Sequence, residues 1–179
     1  MTLDSKLRKF SSILYQAAES GQCTEEVLGS LNTIQSLWKQ DSQFRSLVIS
    51  KRISKEKKDS ILRSVFKELC HPLAVEIVIL LMERGVMNYY SILKSLYEVE
   101  YDKKHRIVRV DATVSQPLEE VEKHKLKSDL ESKLNMNANL NVNVDPDLLG
   151  GIKLRIGNAF YDASVQRKIE RLKENLLQS

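Results

Sequence analysis

Cysteine is nearly missing from this chain, and Cys23 and Cys70 stand far apart without a CxxC partner. That usage excludes a disulfide framework and a zinc ribbon, and leaves two inert thiols in a reducing compartment. Histidine is equally scarce. His71, His105 and His124 have no metal-ligand spacing among them. His71 beside Pro72 reads as a helix-start residue and His124 as a surface one. No long hydrophobic run is present: the longest, Ile77 to Met82, is far below the roughly 20 residues that span a bilayer. No N-terminal stretch shows the basic, apolar, small-residue order of a signal peptide. Nothing suggests a Ser-His-Asp or Cys-His nucleophile, so the expectation is a noncatalytic protein with no cofactor and no metal.

What is present is ordinary globular material. The 179 residues are 42% hydrophobic and 29% charged, enough for one or two small domains. The net charge of +4 is dispersed, with 16 basic and 13 acidic residues before position 106 and 12 and 11 after it. A nucleic-acid binder concentrates basic residues on one face. Here the run Lys51, Arg52, Lys55, Lys57, Lys58 is broken by Glu56 and Asp59, as on a solvated helix face.

Residues 1–105 read as consecutive helices. Leu3, Leu7, Phe10, Leu14 and Ala17 mark a first helix to about Glu19, stopped by Gly21. Thr24 is the expected N-cap of a second helix with Val27, Leu31, Ile34 and Trp38 on one face. A short third covers Gln43 to Val48. Ser54 caps a fourth, with Ile61, Leu62, Val65, Phe66 and Leu69 as its apolar side. Pro72 suits the first turn of a fifth, ending near Gly85. That fifth helix, Leu73 to Met82, has almost no polar face and belongs in the middle of a bundle, or partly under a partner. A sixth carries Met87, Tyr90, Leu93, Leu96 and Tyr97, then turns charged from Glu98 to Arg106, the expected linker.

From Ile107 the period changes from 3.6 to 2. Val108, Val110, Ala112 and Val114 alternate with polar residues in a first strand. Pro117 opens a helix through about Leu134, with Leu118, Val121, Leu126 and Leu130 facing inward. Ala138 to Val144 and Ile152 to Ile156 alternate again, and Gly157-Asn158 turns the chain into a short Ala159–Tyr161 strand. Val165, Ile169, Leu172 and Leu176 then fall on one stripe of a last helix, which closes the second core, receives a partner helix, or does both, with core packing the larger share. The expected fold class is α+β: a six-helix bundle over 1–105, then a β-α-β-β-β-α unit over 106–179.

Three of the six glycines, Gly150, Gly151 and Gly157, lie within eight positions. No Gly-Lys-Ser/Thr follows them and no helix starts at once, so they read as turn residues and not as a phosphate loop. Asp162 followed by Ser164 reads as a helix cap. Glu119-Glu120 sits at a helix start, where the dipole explains it without acid–base chemistry.

Those C-terminal residues carry a likeness. Asp145-Pro146-Asp147-Leu148-Leu149-Gly150-Gly151-Ile152-Lys153-Leu154-Arg155-Ile156-Gly157, then Asp162-Ala163-Ser164-Val165, resembles the family of the rotary ATP synthase delta subunit and the oligomycin sensitivity conferring protein. Glu83-Arg84-Gly85 is similar to that family's exit from its fifth helix. Many bacterial members have Gly where this chain has Ala163 and Arg where it has Gln166. The resemblance implies a noncatalytic stator subunit, present once per complex, needed for proton-coupled ATP synthesis. It implies that the helical domain grips N-terminal segments of alpha subunits and the C-terminal domain holds the b-subunit stalk. By position Phe10, Leu14, Ile79 and Leu80 are similar to alpha-facing residues, with plain core as the other reading of each. The implied location is the cytoplasmic face of a bacterial inner membrane, or an organellar inner membrane for a processed chain. The alternative function, from the basic helical half, is an RNA-binding or regulatory adaptor.

Overall fold

The computed structural model describes residues 3–177, and the chain divides into two compact units between Tyr101 and Asp102. The first contains α1 (Leu3–Ser20), α2 (Thr24–Gln40), α3 (Ser42–Ile49), α4 (Lys55–Phe66), α5 (Pro72–Glu83), a 3-10 turn (Met87–Tyr89) and most of α6 (Tyr90–Lys104). The charged stretch expected as a linker is therefore mostly the end of α6, and the division falls inside that helix.

α5 is covered almost all round: Ala74, Val75, Ile77, Val78, Ile79, Leu81 and Met82 are all buried. It starts as its sequence dictates, with Pro72 in the first turn and His71 Nδ1 accepting from the Leu73 N–H at 3.3 Å. Gly85 ends it at φ +68, a conformation only glycine adopts freely. Around α5 the core gathers Leu7, Val27, Leu31, Ile34, Phe66, Leu93, Tyr90 and Tyr97. The two buried tyrosines satisfy their hydroxyls on backbone, Tyr90 donating to Leu31 O and Tyr97 to Thr24 O, each at 3.0 Å. Burial pushes the Cys70 thiol up from its ordinary pKa, away from the reactive thiolate.

Two local expectations fail here for identifiable reasons. Thr24 is the first helical residue, and Cys23 stands at the N-cap without a side-chain cap bond. Gly21 follows the last residue of α1 as expected, and the left-handed step of the turn falls on Gln22 at φ +54. On α4 the buried stripe is Lys58, Leu62 and Phe66, while Ile61 and Val65 are exposed and Leu69, expected on the same side, lies exposed in the turn past the helix end. A helix carrying apolar residues on more than half its circumference can bury only the sector that meets its neighbours, and the rest stays outside.

The second unit contains β1 (Ile107–Val114), α7 (Glu120–Leu134), β2 (Asn137–Val144), β3 (Ile152–Ile156), β4 (Ala159–Asp162) and α8 (Val165–Leu177). The sheet order is β2-β1-β3-β4. β1 and β2 are parallel and joined by α7; β3 and β4 pair antiparallel. A parallel pair needs such a crossover, whereas the β3–β4 link closes over Gly157 at φ +57. Val110, Leu130 and Ala138 are the buried centre, with Val108, Leu126, Leu134, Leu140, Leu154 and Ile156 packed around them.

α7 begins three residues after Pro117. Glu119 is its N-cap in a capping box with Glu122, and Val121 points outward. The larger correction concerns α8. Val165, Ile169, Leu172 and Leu176 are 40%, 44%, 62% and 78% exposed, so core packing is not the larger share of that stripe.

Candidate docking surfaces

The four sequence-selected residues of the helical unit lie on α1 and α5, which pack against each other. Leu14 and Ile79 are each 6% exposed and serve the core. Phe10 and Leu80 are half-buried, resting on that core with part of each side chain outside. The Arg84 guanidinium lies 5.0 Å above the Phe10 ring and ties the end of α5 to α1 through a cation–π contact. Phe10 and Leu80 thus leave part of their apolar surface outside, with the Arg84 cation stacked on the former. The spacing alone could not separate the two inward residues from the two outward ones, because Ile79 and Leu80 are neighbours on a helix that is apolar all round.

The C-terminal motif is a knot of backbone geometry. Asp145 Oδ1 accepts from the Asp147 N–H at 3.0 Å and Asp145 O from the Leu148 N–H at 3.1 Å, a turn that drives Leu148 inward. Gly150 and Gly151 follow at φ +148 and +84. Gly150 O then accepts from the Val165 N–H at 3.0 Å, and Ile152 O from the Ala163 N–H at 2.9 Å. The start of α8 is thereby fastened to the glycine pair. Asp162 Oδ1 accepts from the Ser164 N–H at 2.9 Å, and Ser164 Oγ from the Arg167 N–H at 3.2 Å. Hydrogen bonding from the Ser164 hydroxyl, and then from its N–H, holds the Asp162 carboxyl below the ordinary carboxylate range. Asp145, Gly150, Gly151, Gly157, Asp162 and Ser164 thus all lie at the turns or the cap of one small unit.

What the motif presents is apolar and exposed. Beyond the α8 stripe, Phe160 and Tyr161 on β4 and Leu149 in the turn are mostly outside. The strand residues were not singled out in the sequence, although a short edge strand carrying two adjacent aromatics gives a signal that could have been read. Among the described residues no group of three or more His, Cys, Asp or Glu side chains could hold a metal ion. No helix among them is long and apolar enough to cross a membrane. The surfaces offer area for docking; they do not converge polar groups on a reacting atom.

Comparison with known proteins agrees along nearly the whole length. The family model for the ATP synthase delta (OSCP) subunit matches residues 8–176. ATP synthase subunit delta of Fusobacterium nucleatum subsp. nucleatum is 28% identical over 169 residues, covering 94% of this chain and 96% of the relative. The subunit delta of Ilyobacter tartaricus, described as sodium ion specific, is 29% identical, covering 91% and 93%. In fold, the chain is similar to one in the Toxoplasma gondii mitochondrial ATP synthase hexamer, with a TM-score of 0.68, 22% identity and coverage of 99% and 98%. These matches decide against the RNA-binding adaptor. The chain belongs to the ATP synthase delta (OSCP) subunit family.

Proposed function

We propose that the two units hold different partners: the six-helix bundle, residues 1–105, takes amphipathic N-terminal segments of alpha subunits, and residues 106–179 take the C-terminal end of the b stalk. Family membership makes the chain a noncatalytic peripheral-stalk subunit of ATP synthase, and the proposal concerns how it performs that role. On this reading Phe10 and Leu80 touch the alpha segment, while Leu14 and Ile79 support them from beneath. The site is peripheral, on the cytoplasmic face of a bacterial inner membrane; the two relatives from Fusobacterium and Ilyobacter are bacterial.

One observation carries the proposal: α8 leaves a four-residue apolar stripe uncovered. Each such side chain gains about 1.5–3 kcal/mol when fully buried, so a helix laid along the stripe gains several kcal/mol without any charged contact. The physical demand on a stator explains why one chain carries two surfaces. Rotation of a central shaft changes the catalytic head only if the head cannot turn with it. Two modest contacts on one polypeptide resist that torque because, once one is made, the second forms at high effective concentration.

The test is a pull-down with the full chain from detergent-solubilised membranes. Leu172→Asp with Leu176→Asp should lose the stalk subunit and keep the head. Leu80→Asp should do the reverse. Both variants retaining both partners would overturn the assignment.

A further inference from the structure

A cleft of about 580 Å³ opens in the helical unit beside the C-terminal ends of α3 and α5. Its wall includes Lys51, Lys55, Lys58, Arg84, Glu83 and Asn88, four cations against one carboxylate. Lys58 is the unusual member, only 7% exposed. Its Nζ donates to Val48 O at 2.8 Å, capping one of the carbonyls left free at the end of α3. That uses one of the three ammonium hydrogens. Among the described residues no carboxylate forms an ion pair with it.

A charge this deep is normally paired, because removing an ammonium from water without a counter-charge is costly. Here the neighbours compound the cost: Lys51, Lys55 and Arg84 bring more charge of the same sign to the same cleft. Arg84 is held by its stacking over Phe10, so its planar fork is partly ordered before any ligand arrives. Asn88 adds an uncharged amide donor. We propose that this cleft binds a single oxyanion group, a carboxylate or a phosphate, between Lys58, Arg84 and the two outer lysines. The ligand is either free inorganic phosphate or the acidic side chain of a bound segment; both present the same oxygens to the same donors. The site is separate from the α8 surface and stands whether or not the stalk assignment holds.

Calorimetry on the full chain, with chloride holding ionic strength constant, tests this with two probes: sodium phosphate, and N-acetylglutamate methylamide. Saturable binding is expected, with amide shifts in NMR confined to the neighbourhood of Lys51, Gly85 and Asn88. Losing one charge-assisted hydrogen bond of the kind Lys58 offers corresponds to about a tenfold weaker affinity in Lys58→Met, whereas Lys58→Arg should retain binding. Lys51→Ala with Lys55→Ala, both at exposed positions, should weaken binding with the fold unchanged, and decides the matter if Lys58→Met unfolds. Binding of phosphate alone identifies a free-ion site; binding of the glutamate probe identifies an acidic side chain as ligand. If neither probe saturates, or if affinity is equal in all variants so that there is an adventitious ion only, the proposal is wrong.

Discussion

Replacing Gly151 by alanine is the most severe small change the C-terminal unit offers. A Cβ at that position would stand 2.5 Å from Ala163 O, 2.9 Å from Ser164 Cα and 3.2 Å from Val165 N, all of them backbone atoms. Those atoms cannot simply recede, since the Ala163 and Val165 N–H groups are bonded to Ile152 O and Gly150 O. The φ of +84 adds strain of about 1–2 kcal/mol for any L side chain. Overpacking against fixed backbone adds about 1–3 kcal/mol more. Together the cost is roughly 2–5 kcal/mol, a large fraction of the 5–15 kcal/mol by which domains are stable. Gly157 is the control, also at positive φ, +57, but with nothing within 4 Å of the added carbon. Gly157→Ala should therefore cost only about 1 kcal/mol. Gly150→Ala falls between them, since φ +148 strains any L residue but its Cβ would meet only one yielding atom, Val165 Cγ2 at 3.3 Å. Amide exchange across β1, β3 and α8 measures all three, while Trp38 fluorescence monitors the helical unit as an internal standard. If Gly151→Ala proves no worse than Gly157→Ala, the close approach of the glycine to the start of α8 is wrong.

Further expectations rest on single contacts. Ser164→Ala removes the N-cap bond to Arg167 and should cost about 1 kcal/mol, seen as faster amide exchange in the first turn of α8 with β1 unaffected. Asp162 carries a depressed pKa through its bonds from Ser164, so its stabilising effect is present above the ordinary carboxylate range and is lost as pH falls through the depressed value. A carboxyl NMR titration should place its midpoint below that of the same residue in the urea-unfolded chain, and Asp162→Asn should flatten the acid limb of α8 fraying. Leu80→Asp should abolish calorimetric capture of an alpha N-terminal peptide by a chain that remains folded. Ile79→Asp should instead unfold the helical unit, because it places a charge at a 6% exposed position. Tyr90→Phe should cost about 1 kcal/mol in urea denaturation, the net worth of the buried bond to Leu31 O.

Much of the architecture was legible because the two periodicities leave different marks. Val108 to Val114 and Ala138 to Val144 alternate without exception, and both lie in strands, the first at its expected bounds and the second beginning one residue earlier at Asn137. His71-Pro72 and Ser54 cap the helices they were expected to start. The errors cluster where a local rule allows two outcomes of nearly equal energy. Thr24 satisfies the preference for an N-cap, yet the chain enters α2 one residue earlier, through Cys23. Pro117 is tolerated at a helix start, but the Glu119–Glu122 capping box is a stronger signal three residues on.

The remaining errors share a cause, and it bears on function. An amphipathic stripe records that apolar side chains escape water; it does not record what covers them. Val165, Ile169, Leu172 and Leu176 on α8, and Ile61 and Val65 on α4, obey the same spacing as residues that line the core. A chain folding alone would gain by burying them, as α7 buries Leu130 against β1 and β2. For α8 the alternative is to keep Gly150, Gly151 and Ser164 fixing the first turn of the helix while the rest of the stripe stays free. The tight turn and the uncovered stripe are thus one design: rigid attachment at one end of the helix, available apolar surface along it. An apolar stripe of this kind is surface available to another chain, in keeping with a subunit of the multisubunit ATP synthase.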